Sequence, residues 1–595
     1  MSDRILALRD RIRAVPWLTD SAPRGLSLVL GIVAIVVGLF LILRPLSAVT
    51  WLGVYIAVSC IVSGVADLLT PAHSDPRRVQ RVGGVLWILA GITGLVWWGR
   101  LIDYFVPAVA IILVVSGALH VFRLVIRRSW ETLALALFGL AEILFGVLTF
   151  SWPDVSLIVI GALFGGRTVA FGVILLARAG NGQREHSPEQ RQGRAVIHVV
   201  LAALLLVVAT GTALVGHALR NGPLELDGFY ATPATLPDEP GVLIRTAPYD
   251  HAFPDGMRGV RIYYTTTDRT GKVVPASGFV AVPEHATRPV PLITWAHGTV
   301  GIARGCAPSA FAKVYDPDLT PAADKLAQLG WGVVGTDYAG MGADGPAAYL
   351  VGQTEGRSVL DAARAARQVR DMSFTDDTVI WGHSQGGHAA LWAGQLTASY
   401  APDLHVVGTA ALAPASDPRA MADAVLSNPG HLGVSLAVSY VATGYIESYP
   451  DLSLDSLTAP GGRTLIREAA SRCTGDGGTL ATILTGLSIA KDTPLVDRQA
   501  LTGRFGELLD QNMPTGPWNA PLFIGQGEAD EVIPYRINVA YVDRLCASGT
   551  TVDFVGYPGG DHMSILKRDS RTNADVIAWT RDRLEGEPAP STCPA

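Results

Sequence analysis

The run Thr378-Val379-Ile380-Trp381-Gly382-His383-Ser384-Gln385-Gly386-Gly387-His388-Ala389-Ala390-Leu391-Trp392 joins a short apolar stretch to a helix-forming one through the pattern G-x-S-x-G. The pattern alone means little in a chain with 64 glycines, because chance supplies it on the order of once in a few such chains. Its setting carries the weight. An apolar strand that turns sharply into a helix, with glycines on both sides of a serine, is what a nucleophile elbow requires. The turn would hold Ser384 on strained backbone with its hydroxyl aimed at solvent, and the glycines would let strand and helix approach. Ser384 is therefore the expected nucleophile.

A serine hydroxyl near neutral pH needs a base, and the base needs an orienting acid. Where a strand–turn–helix elbow carries the serine, the order along the chain is serine, acid, histidine. Downstream, Pro521-Leu522-Phe523-Ile524-Gly525-Gln526-Gly527-Glu528-Ala529-Asp530 is an apolar strand ending in a polar turn, which puts Asp530 in the place of the acid. Glu528 and Glu531 are neighbours that could substitute. The strand Val552-Asp553-Phe554-Val555 is followed by Gly559-Gly560-Asp561-His562, so His562 is the expected base. His297, His383 and His388 are rivals, but each lies before or within the elbow. An oxyanion also needs N–H donors. One is expected from the backbone of Gln385, and the other from Thr299, in the loop that ends Leu292-Ile293-Thr294-Trp295-Ala296-His297-Gly298-Thr299. His297-Gly298 could instead be a plain turn.

Working outward, short apolar runs at 259–265, 273–282, 290–296, 331–336, 378–382, 405–411, 521–526 and 551–556 alternate with helical patterns at 320–329, 354–371 and 386–399. That alternation predicts a mostly parallel sheet with helices on both faces. The pair 259–265 and 273–282, split by Asp268-Arg269-Thr270-Gly271, reads as an antiparallel hairpin. Between 417 and 512 lie apolar helical patterns such as Leu432–Ala442 and Leu480–Ile489, broken by Pro and Gly, which could pack as a plain helical cap.

The first third reads differently. Apolar stretches near 26–43, 47–69, 82–99, 106–126, 132–150, 155–177 and 196–219, seven in all, are long enough to cross about 30 Å of hydrocarbon, and the first lysine is Lys272. The division expected is a 1–23 segment, a seven-span all-α transmembrane domain over 24–219, and an α/β-hydrolase domain over 220–595. A cleavable leader explains none of the apolar runs, which continue for some two hundred residues. Arginines cluster before the first span (Arg4, Arg9, Arg11, Arg13, Arg24) and in alternate loops (Arg77, Arg78, Arg81; Arg123, Arg127, Arg128; Arg178, Arg184, Arg191, Arg194), whereas the other loops hold only Arg44 and Arg100. The positive-inside rule then places the N-terminus in the cytoplasm, and seven crossings place the remainder after Arg220 outside.

Gly31, Gly38, Pro45, Gly53 and Gly64 recur as Gly139, Gly146, Pro153, Gly161 and Gly172, with a weaker middle copy in Gly84, Gly91 and Gly117. Three helix hairpins in tandem explain this, with the glycines marking packing seams. The spacing resembles tandem short-repeat membrane proteins related to a bacterial acid-resistance protein, over roughly 24–180. Glu142 lies within the fifth span, with Asp67, His120 and His198 nearer span ends. A carboxylate at that depth points either to an ion path or to a hydrogen bond with a neighbouring helix. The net charge of −6 offers no reason to expect nucleic acid.

A second resemblance rests on several motifs in order: Asp227-Gly228-Phe229-Tyr230, Pro240-Gly241-Val242-Leu243-Ile244-Arg245, His297-Gly298-Thr299, Cys306-Ala307-Pro308-Ser309, Gly335-Thr336-Asp337-Tyr338, Gly342, the elbow, and Gly525-Gln526-Gly527-Glu528-Ala529-Asp530. From about 225 to the end the chain resembles the secretory lipases related to a yeast lipase A. The resemblance implies hydrolysis of triacylglycerol or other carboxylic esters, no metal or other cofactor, and a helical lid over an acyl pocket, which would be the stretch 417–512. That family is usually secreted free, whereas here seven spans precede it. Cys60 falls in a span and Cys306, Cys473, Cys546 and Cys593 in the outer domain, where three pairings are open. The resemblance favours Cys306–Cys473 and Cys546–Cys593. Acyl transfer or peptide hydrolysis could run on the same triad, and a membrane sensor or transporter with a ligand-binding outer domain is the reading from another class.

Overall fold

The computed structural model describes residues 24–69, 77–126, 129–180, 191–219, 225–249, 253–311, 320–427, 432–458, 462–474, 478–489 and 496–594. The chain divides into two compact units: Met1–Ala218 with the short stretches Ala459–Thr464 and Leu484–Pro494, and Leu219–Thr458 with Leu465–Ile483 and Leu495–Ala595.

The first unit is built of helices α1 (Arg24–Leu43), α2 (Pro45–Leu69), α3 (Arg77–Val96), α4 (Trp98–Ile126), α5 (Trp130–Ser151), α6 (Pro153–Gly180) and α7 (Arg191–Leu219). Six of these are long and apolar enough to cross a membrane, roughly consistent with the expected seven. The exception is α3. Its first turns carry Arg77, Arg78 and Arg81, and its apolar part, Gly84–Val96, covers only about 20 Å at 1.5 Å per residue.

The glycine repeat acquires its physical meaning here. A Cβ on Gly117 of α4 would sit 2.3 Å from the carbonyl oxygen of Gly139 on α5, and one on Gly64 of α2 would sit 2.4 Å from that of Gly84 on α3. On Gly172 of α6 it would sit 2.6 Å from that of Gly31 on α1. The three seams are equivalent by position in the repeat, and each joins one hairpin to the next rather than the two helices of a hairpin. The last hairpin closes on the first. Gly117→Val should therefore overpack the α4–α5 seam, where misfit side chains typically cost 1–3 kcal/mol. The expected result is a lowered thermal midpoint of the detergent-solubilised chain with ester turnover of the folded fraction unchanged.

On the same seam, Glu142 Oε2 lies 2.9 Å from His120 Nδ1, and Glu142 Oε1 lies 3.5 Å from Ser116 Oγ. Glu142 thus meets side chains of the neighbouring helix. The side chains of Asp67 and His198 lie outside the described residues.

The second unit is a nine-stranded sheet: β1 (Leu243–Pro248), β2 (Met257–Thr267), β3 (Val273–Pro283), β4 (Val290–Ala296), β5 (Gly332–Thr336), β6 (Phe374–His383), β7 (His405–Leu412), β8 (Leu522–Gly527) and β9 (Val552–Tyr557). The order is β1-β2-β3-β5-β4-β6-β7-β8-β9. The first three strands are antiparallel, with β2 and β3 forming the expected hairpin, and from β5 through β9 neighbours run parallel. Both faces are apolar because successive side chains point to opposite sides. Leu292 and Ile380 enter one core, and their neighbours Ile293 and Trp381 enter the other.

Helices α8 (Leu326–Leu329), α9 (Gly352–Ala366) and α10 (Gln385–Tyr400) alternate with strands. Of the helix expected over 320–329, only its last turn, α8, is present. Between β7 and β8 comes a helical insertion of α11 (Pro418–Ser427), α12 (Leu432–Ser448), α13 (Leu454–Leu457), α14 (Gly462–Ala470), α15 (Gly478–Ile489) and α16 (Arg504–Gln511). Disulfides join Cys306 to Cys473 and Cys546 to Cys593, and Cys60 is free.

Candidate active site

Ser384 stands between β6 and α10 with φ +57° and ψ −118°, a region that side chains other than glycine occupy only at a cost. Its flanks explain why it can be held there. A Cβ on Gly382 would lie 2.0 Å from the carbonyl oxygen of Gly386, and one on Gly386 would lie 1.9 Å from that of Ala296. Only glycine at both places lets β4, β6 and α10 meet this closely. The backbone N–H of Ser384 donates to Leu412 O at 2.9 Å, and its own carbonyl accepts from Ala415 at 3.1 Å. The strain is thus opposed by bonds on either side.

Residues far apart in sequence converge on the hydroxyl. His562, in the turn after β9, places Nε2 at 3.0 Å from Ser384 Oγ. Its Nδ1 lies 2.8 Å from Asp530 Oδ2. Asp530 follows β8 and is itself held: Oδ1 accepts from the backbone N–H groups of Val532 (2.9 Å) and Ile533 (2.7 Å), and Oδ2 accepts from Gln526 Nε2 (3.0 Å). Glu528 and Glu531, the possible substitutes, are exposed while Asp530 is buried.

The rival histidines are occupied elsewhere. His383 donates from Nε2 to the backbone carbonyl of His562 at 3.0 Å and packs its ring against that residue's ring. Burial, reinforced by His562, holds its pKa well below the usual imidazole range, so it stays neutral. His297 donates from Nδ1 to Gly298 O at 2.6 Å, and burial pushes its pKa down to about 4. His388 sits between Glu355 and the carbonyl of Asn512.

The loop after β4 abuts the elbow. A Cβ on Gly298 would meet Ser384 Cβ at 3.7 Å, and Thr299 Oγ1 shares a hydrogen bond with the Tyr349 hydroxyl at 2.7 Å. Ser384 and His562 open into a cavity of about 510 Å³ that is also lined by Thr299, Tyr349, Leu436, Tyr440 and Ile533. A smaller cavity of about 60 Å³, lined by apolar side chains such as Val425, Val441 and Phe505, shares Tyr349, Met421 and Ala437 with it. Among the described residues no group of His, Cys, Asp or Glu is arranged to hold a metal ion.

Residues 316–592 match the family model described as secretory lipase. This chain carries a secretory lipase domain. Three stretches before it, 29–79, 82–151 and 137–210, match a short repeat of unknown function (DUF308). The lipase domain is similar to Lipase A of Moesziomyces aphidis, 25% identical over 61% of this chain and 81% of that protein. It is also similar to a secreted triacylglycerol lipase of Malassezia furfur, 24% identical over 67% of this chain and 88% of the relative. The crystal structure of Candida antarctica lipase A in its closed state covers 62% of this chain and 88% of its own length, with a TM-score of 0.51 and 23% identity, and so shares the fold. The lipase domain is that of a carboxylic ester hydrolase acting on lipid esters.

Several groups around the site carried no sequence signal of their own. Gln526 stands four residues before Asp530 and bonds to it, a pairing that the strand-to-turn geometry creates. Tyr349 and Glu355 reach the site from a loop and helix that precede the elbow.

Proposed function

We propose that the chain is a membrane-tethered lipase or carboxylesterase with Ser384, His562 and Asp530 as its catalytic triad. One observation carries this reading: the unbroken hydrogen-bonded chain from Ser384 Oγ through the imidazole of His562 to Asp530. Ser384 attacks the ester carbonyl while His562 Nε2 takes its proton. The carbonyl oxygen becomes an oxyanion held by the backbone N–H groups of Gln385 and Thr299. Collapse expels the alcohol, which receives the proton from His562, and leaves an acyl-serine. Water then repeats the cycle and releases the acid. Asp530 accepts from Nδ1–H and keeps Nε2 free to act.

An acyl chain suits the two adjoining cavities, whose shared walls at Met421 and Ala437 are apolar. The insertion over 417–512 then acts as a lid that excludes water from the ester. The disulfides support an extracytoplasmic domain, since such bonds persist in oxidising compartments. The equivalence of the three glycine seams supports α3 as a seventh crossing despite its short apolar part, because it holds the same place in the repeat as α1 and α5.

The test uses the full chain in detergent with nitrophenyl esters from acetate to palmitate. Hydrolysis well above that of Ser384→Ala, sustained into the longer acyl chains, is expected, and equal rates would end the proposal. Protease added to intact cells should cut the lipase domain, and protection would reverse the orientation.

A further inference from the structure

Glu355, in the first turn of α9, is 1% exposed and lies outside the set of groups that the reaction uses. Its Oε1 accepts from Gln385 Nε2 at 2.7 Å and from the backbone N–H of Leu350 at 3.1 Å, and its Oε2 lies 3.2 Å from His388 Nδ1. The first and last of these bonds grip the start of α10. Gln385 follows the nucleophile directly, and the backbone N–H of His388 donates to Ser384 O at 3.1 Å. The middle bond reaches the other side of the site. Leu350 has φ +53°, and the preceding residue, Tyr349, places its hydroxyl against Thr299 Oγ1 at 2.7 Å.

We propose that Glu355 is a positioning residue for the oxyanion site, because one carboxylate ties the segment that supplies the Gln385 N–H to the loop whose Tyr349 hydroxyl braces Thr299. This rests on the assignment of Gln385 and Thr299 as the oxyanion donors. Packing gives no reason for an acid here. Val359, Leu360, Ala362 and Ala363 of the same helix are already fully buried, and a buried carboxylate is costly unless its bonds accomplish something. The Gln385 side chain points the same way. Its Oε1 has no hydrogen-bond partner among the described residues, so its amide is held through the bond to Glu355.

The arrangement depends on geometry rather than charge. With glutamine at 355, the amide oxygen accepts from Gln385 and Leu350, and the amide NH2 donates to His388 Nδ1 while Nε2–H serves Asn512. With alanine the Gln385 amide and the Leu350 N–H lose their acceptor and His388 Nδ1 loses its partner.

The test compares full-length wild type, Glu355→Gln, Glu355→Ala and Gln385→Leu in detergent. The readouts are kcat, KM and the inhibition constant of a trifluoromethyl ketone, whose adduct with serine carries an oxyanion. Glu355→Gln should stay within about threefold of wild type, while Glu355→Ala should lose about 100-fold in kcat with KM little changed, the scale expected when donors shift by about 1 Å. Inhibitor affinity should weaken by the same factor. Gln385→Leu cuts the same bond from the other end while keeping the backbone N–H, and decides the matter if Glu355→Ala does not fold. It should lose at least about 10-fold in kcat and in inhibitor affinity.

A purely structural role would reduce the folded fraction and leave the inhibition constant of the survivors unchanged, which would overturn the proposal. So would wild-type kcat in folded Glu355→Ala or Gln385→Leu. A wild type no more active than Ser384→Ala would overturn the underlying functional reading instead.

Discussion

Replacing Ser384 by alanine is expected to lower kcat for ester hydrolysis by about a million-fold, the loss typical of a nucleophile in such a triad. The substitution removes a single oxygen, the one 3.0 Å from His562 Nε2. Without it the imidazole has no proton to take and no acyl-serine can form. What survives comes from the oxyanion donors and the pocket, on the order of a thousand- to ten-thousand-fold over water. Stability should be nearly untouched, because alanine accepts the same φ of +57° at a similar cost and the backbone bonds to Leu412 and Ala415 do not involve the side chain. Turnover of a medium-chain nitrophenyl ester, with thermal unfolding alongside, checks both. A variant within 100-fold of wild type would remove Ser384 from the mechanism.

Asp530→Asn should cost about ten-thousand-fold in kcat, the loss expected when the base is forced into the wrong tautomer. Every partner of the Asp530 carboxylate is a donor: two backbone N–H groups on Oδ1, and Gln526 Nε2 and His562 Nδ1 on Oδ2. An asparagine must present its NH2 to one of these pairs. Keeping its oxygen on the two backbone donors turns the NH2 toward His562. The ring then puts its lone pair on Nδ1 and its hydrogen on Nε2, facing Ser384, where it cannot accept a proton. KM should change little. Stability should fall by about 1–3 kcal/mol, because the new NH2 faces the Gln526 amide donor, which then keeps only the carbonyls of Gly527 and Ile533 as acceptors. Glu528→Gln and Glu531→Gln are the controls, and both should hydrolyse like wild type because these side chains are exposed. A loss in either control as large as in Asp530→Asn would reassign the acid.

Local features were legible along the chain. Strand, turn, serine and helix are consecutive between Thr378 and Trp392, so their conjunction needs no knowledge of distant contacts. The proposed acid and base could be read because each lies in a turn that ends an apolar strand. Edge strand β1 escaped notice because most of its residues are only half buried and it ends at Pro248, so no alternation marks it. The apolar stretch read over 82–99 runs across the break between α3, which ends at Val96, and α4, which begins at Trp98, so less of it lies in α3 than its length suggested.

The amino-acid sequence by itself determined the elbow, the order of the triad candidates, the two-part division and the glycine repeat, because each depends on neighbours or on regular spacing. Tertiary structure alone decided the rest, because those choices depend on which distant surfaces meet. Burial sets Asp530 apart from the exposed Glu528 and Glu531, and Gly172 found its partner in Gly31 at the far end of the repeat. Glu355 came to rest under the elbow because α9 packs against α10, and the bond to Gln385, thirty residues on, is one that no spacing along the chain encodes.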